Sequence, residues 1–255
     1  MVEKLKEKKE EALARSTLYS LLSAGFAYPR ADFITDLEKG HFTAQLRQAA
    51  SYFEEEKGLF SAVEDLCQAV EKSLTLNLQD LEAEYNRVFS MGLICPHHET
   101  NYNTAHVFMK SQEMADINGF YTAFGFRLSD KEKELVDFIG TELEFMHVLT
   151  FKEYHAWEKG QEDKANLCRE AQAKFLEGHL GTWVNAFYKV LSATTHLDLF
   201  SSLGKLLVEF VTFEGRYLGV TPVQVISEPT ARAGPETESF TCGGGLEDIK
   251  VNKGS

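Results

Sequence analysis

The sequence predicts an all-α protein, a single compact helical bundle with a flexible C-terminal tail. Three observations carry that expectation. Apolar residues recur at three- and four-residue spacing through most of the chain. Alternation typical of a strand is confined to the short stretch "TPVQVIS". From Glu228 onward the composition shifts to "EPTARAGPETESFTCGGGLEDIKVNKGS", whose Gly, Pro, Thr and Glu content cannot build a packed core. The expected division is a helical domain over 1–227 and a tail over 228–255.

The elements follow in order. "EALARSTLYSLLSAGFAYP" places Leu13, Leu18, Leu21, Leu22 and Phe26 on one side of a helix, with Gly25 weakening its last turn and Pro29 stopping it. Residues 42–56 and 58–74 read as two helices divided near Gly58. Residues 78–90 form another, carrying Leu81, Tyr85, Val88 and Phe89, and 104–124 a further one with Gly119 as a weak point. A long helix is expected from Ser129, whose spacing to Glu132 is that of a capping box, to a glycine stop at Gly160. Leu135, Phe138, Ile139, Met146 and Leu149 would share its apolar face. Helices at about 162–177, 179–193 and 196–218 complete the bundle.

Composition excludes several function classes. With 39 acidic against 26 basic residues the net charge is -13, which opposes binding to phosphate backbones and suits a basic partner. Cys67, Cys95, Cys168 and Cys242 form no C-x-x-C pair, so free thiols in a reducing compartment are expected. The start "MVEKLKEKKEEALARS" is too charged for a secretory segment, and no apolar run approaches the roughly 20 residues of a membrane span. The expected location is the cytoplasm.

Chemistry-bearing residues gather in "EYNRVFSMGLICPHHETNY". A metal site could use Glu144 and His147, an E-x-x-H pair on one helix face, but a di-iron bundle needs two such motifs and two further glutamates. Cys95 lies near His97 and His98 without an identifiable orienting group. "TCGGGLE" lacks the preceding strand and the lysine of a phosphate loop. No catalytic residue, resident metal or cofactor is therefore expected, and a helical metalloprotein built on Glu144 and His147 is the alternative. The remaining reading is a docking surface. Glu142 falls on the apolar stripe, and a carboxylate there is either marginal or buried with a partner. If the loop "CPHHETNY" packs beside it, apolar surface rimmed with acids could receive a peptide carrying arginines.

Five segments in order resemble the TorD/DmsD/NarJ group of redox-enzyme maturation chaperones, over roughly residues 10–218. "ARSTLYSLLSAGFAYP" resembles the group's opening helix. "EAEYNRVFSMG" is similar to its E-x-x-Y-x-x-L-F-x-G segment, with Tyr85, Phe89 and Gly92 in place and Val88 for leucine. "CPHHETNY" resembles its P-x-x-E-S-x-Y loop through Pro96, Glu99 and Tyr102, with Thr100 for serine. "ELVDFIGTELEFMHVL" resembles its E-x-x-D-H-I-x-x-E-L-x-F-M helix through Glu134, Asp137, Ile139, Glu142, Leu143, Phe145 and Met146, with Phe138 where the group often has histidine. "HLGTWVNAFYKVLSA" is similar to its late tryptophan helix through Trp183 and Phe187.

The resemblance implies a non-enzymatic cytoplasmic chaperone of TorD-like fold. It would bind the apo catalytic subunit of a molybdenum oxidoreductase, through a twin-arginine or remnant leader, and delay export until the cofactor is inserted. Homodimerisation by exchange of elements is compatible with the resemblance. The expected peptide-binding surface comprises Tyr85, Phe89, Pro96, Glu99 and Tyr102 with Asp137, Phe138, Glu142 and Met146. Tyr85 and Phe89 are read as core ahead of contact, since aromatic residues at helical spacing usually pack. Charge reversal at Glu99 and Glu142 is expected to weaken leader binding and leave the thermal melt nearly unchanged.

Overall fold

The opening helix runs further than its apolar stripe requires. In the computed structural model, which describes residues 2–90, 94–103, 107–128 and 135–225, α1 spans Val2–Phe26. Leu18, Leu22 and Phe26 face the core as expected, whereas Leu13 is 39% exposed and lies off the stripe. Gly25 does not end the helix early. A Cβ there would come within 2.6 Å of a Leu203 methyl, so the glycine lets two helices approach closely. After Pro29 the chain forms α2 (Ala31–Glu38), a short helix that the periodicity does not signal.

α3 (His41–Ala50) begins at Gly40, whose φ of 70° makes the turn from α2, and a 3-10 turn at Ser51–Phe53 leads to α4 (Lys57–Ser73). α5 (Leu78–Tyr85) starts with a reciprocal cap, in which the Asp80 N–H donates to Asn77 Oδ1 and the Asn77 N–H to Asp80 Oδ2. It relaxes into a π-helical turn at Asn86–Ser90. α6 (Thr100–Asn103) is one turn, and α7 (Val107–Ala123) passes through Gly119 unbroken.

α8 (Ile139–Glu158) starts ten residues later than the sequence predicts. Ser129, Glu132 and Glu134 lie outside the described residues. Leu135, Asp137 and Phe138 precede the helix instead of extending its stripe. The reason is a competing pairing. Phe138 is extended (φ -73°, ψ 134°) because it bridges His98 in the one antiparallel β-bridge among the described residues. Gly160, at φ 65°, stops α8 as expected. α9 (Glu162–Phe175), a second π turn at Leu176–Leu180, α10 (Gly181–Thr194) and α11 (Asp198–Leu218) follow, and Gly219 at φ 74° closes the last.

α1 packs mainly on α8, α8 on α9, α11 on α4 and α10. The buried side chains of α1, α4, α8, α10 and α11 form one continuous apolar core. "TPVQV" forms no strand; the Val225 N–H donates to the Thr182 carbonyl at the start of α10. The fold is an all-α bundle, as the sequence predicts. Cys67, Cys95 and Cys168 are free and buried, while Cys242, "TCGGGLE" and the expected tail over 228–255 lie outside the described residues.

Candidate functional site

The two motif regions are fastened to one another. The Ile139 N–H donates to the His97 carbonyl (3.0 Å) and the Glu99 N–H to the Asp137 carbonyl (2.9 Å). Around that bridge Asp137 accepts from His98 Nδ1 (3.2 Å) and from Thr100 Oγ1 (2.7 Å). Burial alone would raise the Asp137 carboxyl, but these donors outweigh it and hold it below the usual carboxylate range. The Tyr102 hydroxyl donates back to the Pro96 carbonyl (2.7 Å), closing the loop on itself. Phe138 lies edge-on to His97 and beside His98, and Phe89 is edge-on to the other side of His97.

The expected binding surface lies beneath the surface in this conformation. Tyr85, Phe89, Glu99, Tyr102, Asp137, Phe138, Glu142 and Met146 are all buried, and so is Pro96. Tyr85 donates to the Phe26 carbonyl (3.2 Å) and packs on Phe89. Charge reversal at Glu99 or Glu142 would place an ammonium in the core, so it would not leave the melt unchanged; that expectation is corrected by their full burial.

Glu99 and Glu142 meet in the interior. Trp183 Nε1 donates to Glu142 Oε2 (3.2 Å), and His179 Nδ1 donates to Glu99 Oε1 (3.2 Å). Burial first, then the negative charge of Glu99 and a hydrogen bond shared with it, drive the Glu142 carboxyl well above its usual range. Glu142 is the natural holder of the proton in that bond. The other ring nitrogen of His179 reaches Asp116 Oδ2 (3.2 Å), whose side chain is 71% exposed. Burial disfavours the charged imidazole, yet Glu99 and then Asp116 raise it above its ordinary value. Half-buried Glu113 is pushed up to about 7, by burial first and then by Glu99. An acidic relay thus runs from the surface at Asp116 through His179 to Glu99 and Glu142. Asp116 and Glu113 also line an open cleft of about 650 Å³ on α7.

Sequence reasoning missed His179, Asp116 and Glu113. His179 and Trp183 are four residues apart and so share a helix face, a signal that pairs them only once the carboxylates they meet are known. His179 lies within the π turn at Leu176–Leu180, as Phe89 lies within the one at Asn86–Ser90. Glu144 and His147 are not brought together with further ligands. Glu144 is exposed, and His147 Nδ1 sits 2.9 Å from Ser16 Oγ and 3.0 Å from the Ser16 carbonyl. Among the described residues no group of three or more His, Cys, Asp or Glu is placed to hold a metal. Burial pushes the Cys95 thiol up to about 12, which leaves it a poor nucleophile.

A family model described as nitrate reductase delta subunit matches residues 54–189, more than half of the chain and both sides of the bridge. The chain belongs to the nitrate reductase delta subunit family. The motifs that resemble the TorD/DmsD/NarJ chaperones therefore mark true membership. The perchlorate reductase assembly chaperone protein of Dechloromonas aromatica is 29% identical over 215 residues, 80% of this chain and 90% of that one. The selenate reductase assembly chaperone protein of Thauera selenatis is 30% identical over 153 residues, 56% of this chain and 73% of its own. The chlorate reductase assembly chaperone protein of Ideonella dechloratans is 29% identical, again over 153 residues, 58% of this chain and 75% of its own. These family members carry the names of chaperones and not of catalysts. Among the described residues no helix is long and apolar enough to cross a membrane.

Proposed function

We propose that this protein is a dedicated assembly chaperone for the catalytic subunit of an oxyanion-reducing molybdenum oxidoreductase. It holds the apo subunit in the cytoplasm until its cofactor is in place, through an arginine-bearing leader or leader remnant. The single observation that carries the reading is likeness across most of the chain to a protein named a perchlorate reductase assembly chaperone. The names of two further relatives, selenate and chlorate reductase assembly chaperone proteins, support an oxyanion reductase as the client.

The geometry supports a particular division of labour. Pro96, Glu99, Tyr102, Asp137, Phe138, Glu142 and Met146, with Tyr85 and Phe89 behind them, shape the recognition region from beneath. The charges that first meet the leader are Asp116 and Glu113 on α7. Exposed Asp116, with half-buried Glu113 and the buried relay behind it, attracts a guanidinium more strongly than an isolated surface acid. The net charge of -13 favours encounter with the same cation at long range.

The test is a pull-down of the full chain from its native cytoplasm under anaerobic conditions, read by mass spectrometry. Recovery of a molybdenum-enzyme catalytic subunit lacking cofactor or still carrying its leader is the expected result. Recovery of mature, cofactor-loaded enzyme alone, or of no such subunit, would overturn the reading. At residue level, Asp116→Lys is expected to weaken binding of a synthetic leader peptide by about tenfold. Asp116 also contacts buried His179, so Asp116→Asn is the second variant, expected to weaken binding with a smaller shift of the melt.

A further inference from the structure

The most distinctive surface beside the acidic region, with Asp116 at their shared edge, is a trough between the C-terminal half of α7 and the α8–α9 hairpin. It consists of two concavities of about 320 and 550 Å³ that share Ala123, Phe124 and Leu167. Its floor is apolar: Phe120, Phe124, Ala156 and Ala171 are buried or half-buried, while Leu167 stands 56% exposed at the junction. An exposed leucine over an aromatic floor is an anchor point awaiting an apolar partner.

The rim carries the wrong sign for this protein. Lys152, Lys159 and Lys164 line the α8–α9 half, and no carboxylate is among the described residues lining it. Lys174 lines the other half, where Asp116 and Glu170 are the acids. Lys152 is committed, because its ammonium donates to the Phe124 carbonyl near the end of α7 (2.7 Å). Lys159, Lys164 and Lys174 are exposed, and among the described residues none of them is in an ion pair. A chain with net charge -13 thus concentrates unpaired lysines along one apolar groove.

We propose that this trough docks an acidic peptide segment of a partner protein, with one or two large apolar side chains entering over Phe124 and Leu167 and carboxylates meeting Lys159, Lys164 and Lys174. Charge complementarity selects the occupant. An arginine-bearing leader is repelled by the lysine-lined α8–α9 half and drawn to the Asp116 end, so the α8–α9 half serves a different segment. The span from Lys164 to Lys174 covers about 15 Å of helix, enough for roughly three turns of a docked helix. The trough is defined by its own chemistry and does not rest on the maturation reading.

The experiment places a photo-crosslinking residue at Leu167 of the full chain in its native host and sequences the crosslinked peptides. The supporting result is a segment of another protein with net negative charge and a large apolar residue. Its synthetic copy, fluorescein-labelled, should then bind with an affinity that falls as salt rises. Lys159→Glu with Lys164→Glu and Lys174→Glu should weaken that binding by about tenfold, at roughly a twofold loss per exposed ion pair. These lysines are exposed, so a matching circular-dichroism melt confirms that the variant is folded. Leu167→Asp provides a second variant that removes the anchor and leaves the lysines. A crosslink to residues 228–255 of the same chain, to a second copy or to a neutral or basic segment would overturn the proposal. So would absence of a crosslink, or binding indifferent to both variants. An intact anaerobic pull-down beside a failed crosslink would reject the trough and leave the maturation reading standing.

Discussion

Arg15 is wholly buried, and its guanidinium is met on several sides. It donates to Glu214 through Nε (2.6 Å) and Nη2 (2.7 Å), to Glu153 through Nη1 (3.1 Å), and also to Gln172. The Tyr19 hydroxyl donates to Glu214, Gln172 to Glu153, and the Tyr217 ring lies against the guanidinium. A planar fork satisfies this arrangement in a way that an ammonium cannot. Arg15→Met would leave buried Glu214 without its cation and Glu153 with Arg169 alone, and is expected to cost about 3–5 kcal/mol in chemical denaturation. Arg15→Lys should recover less than half of that loss. Glu142 and Glu99 provide a contrast of the same kind. Glu142 already favours its neutral form, so Glu142→Gln should keep the Trp183 hydrogen bond and shift the thermal midpoint little. Glu99→Gln removes the charge facing His179 and should destabilise the fold clearly more, by about 1–3 kcal/mol. Equal costs for the two amides would contradict the assignment of the proton to Glu142.

At the scale of elements, the start of α8 is set by the loop across from it. The bridge between His98 and Phe138 keeps Phe138 extended, and Gly140 then leaves room for the Phe138 ring, which a Cβ at 140 would overlap. Gly140→Ala is expected to cost about 1–3 kcal/mol through this overlap. Pairing it with Phe138→Leu should recover part of the loss, which a double-mutant cycle would measure as a favourable coupling. Phe138 packs against His97, His98 and Gly140 in this conformation.

For the whole molecule, the titrating groups set opposing slopes of stability with pH. His179 is raised above 6.5 in the fold, so its contribution is complete below that value and lost as pH rises through the folded one. Glu113 is raised from 4.5 to about 7, so the native state holds a proton that the unfolded chain releases, and stability falls as pH rises across that window. Glu84 runs the other way. Burial opposes its charge, but Arg87 and the residues at Thr195 and His196 pull it down to about 2. Its contribution is present above 4.5 and lost as pH falls toward 2. Thermal midpoints should therefore peak at about pH 4.5, where the Glu84 and Glu113 windows meet, and decline on both sides. Glu113→Gln is expected to flatten the alkaline limb alone, and a limb unchanged by that substitution would show that Glu113 does not titrate there.

The sequence by itself determined the helical class, most helix positions, the Gly160 stop and family membership. All of these rest on local spacing, which the 3.6-residue repeat and five short motifs report directly. It also singled out Glu99 and Glu142, because both fall in those motifs. What it could not determine was depth. A carboxylate on an apolar stripe reads the same whether it faces solvent or a protonated partner, and only the packing of α10 and its π turn brings Trp183 and His179 onto Glu142 and Glu99. The same holds for the true start of α8, where a long-range bridge overrode a continuous helical pattern. It holds too for the lysine-rimmed trough, whose residues come from three helices and share no sequence signal. Local periodicity fixes which face of each helix is apolar; the tertiary structure decides which charges that face meets.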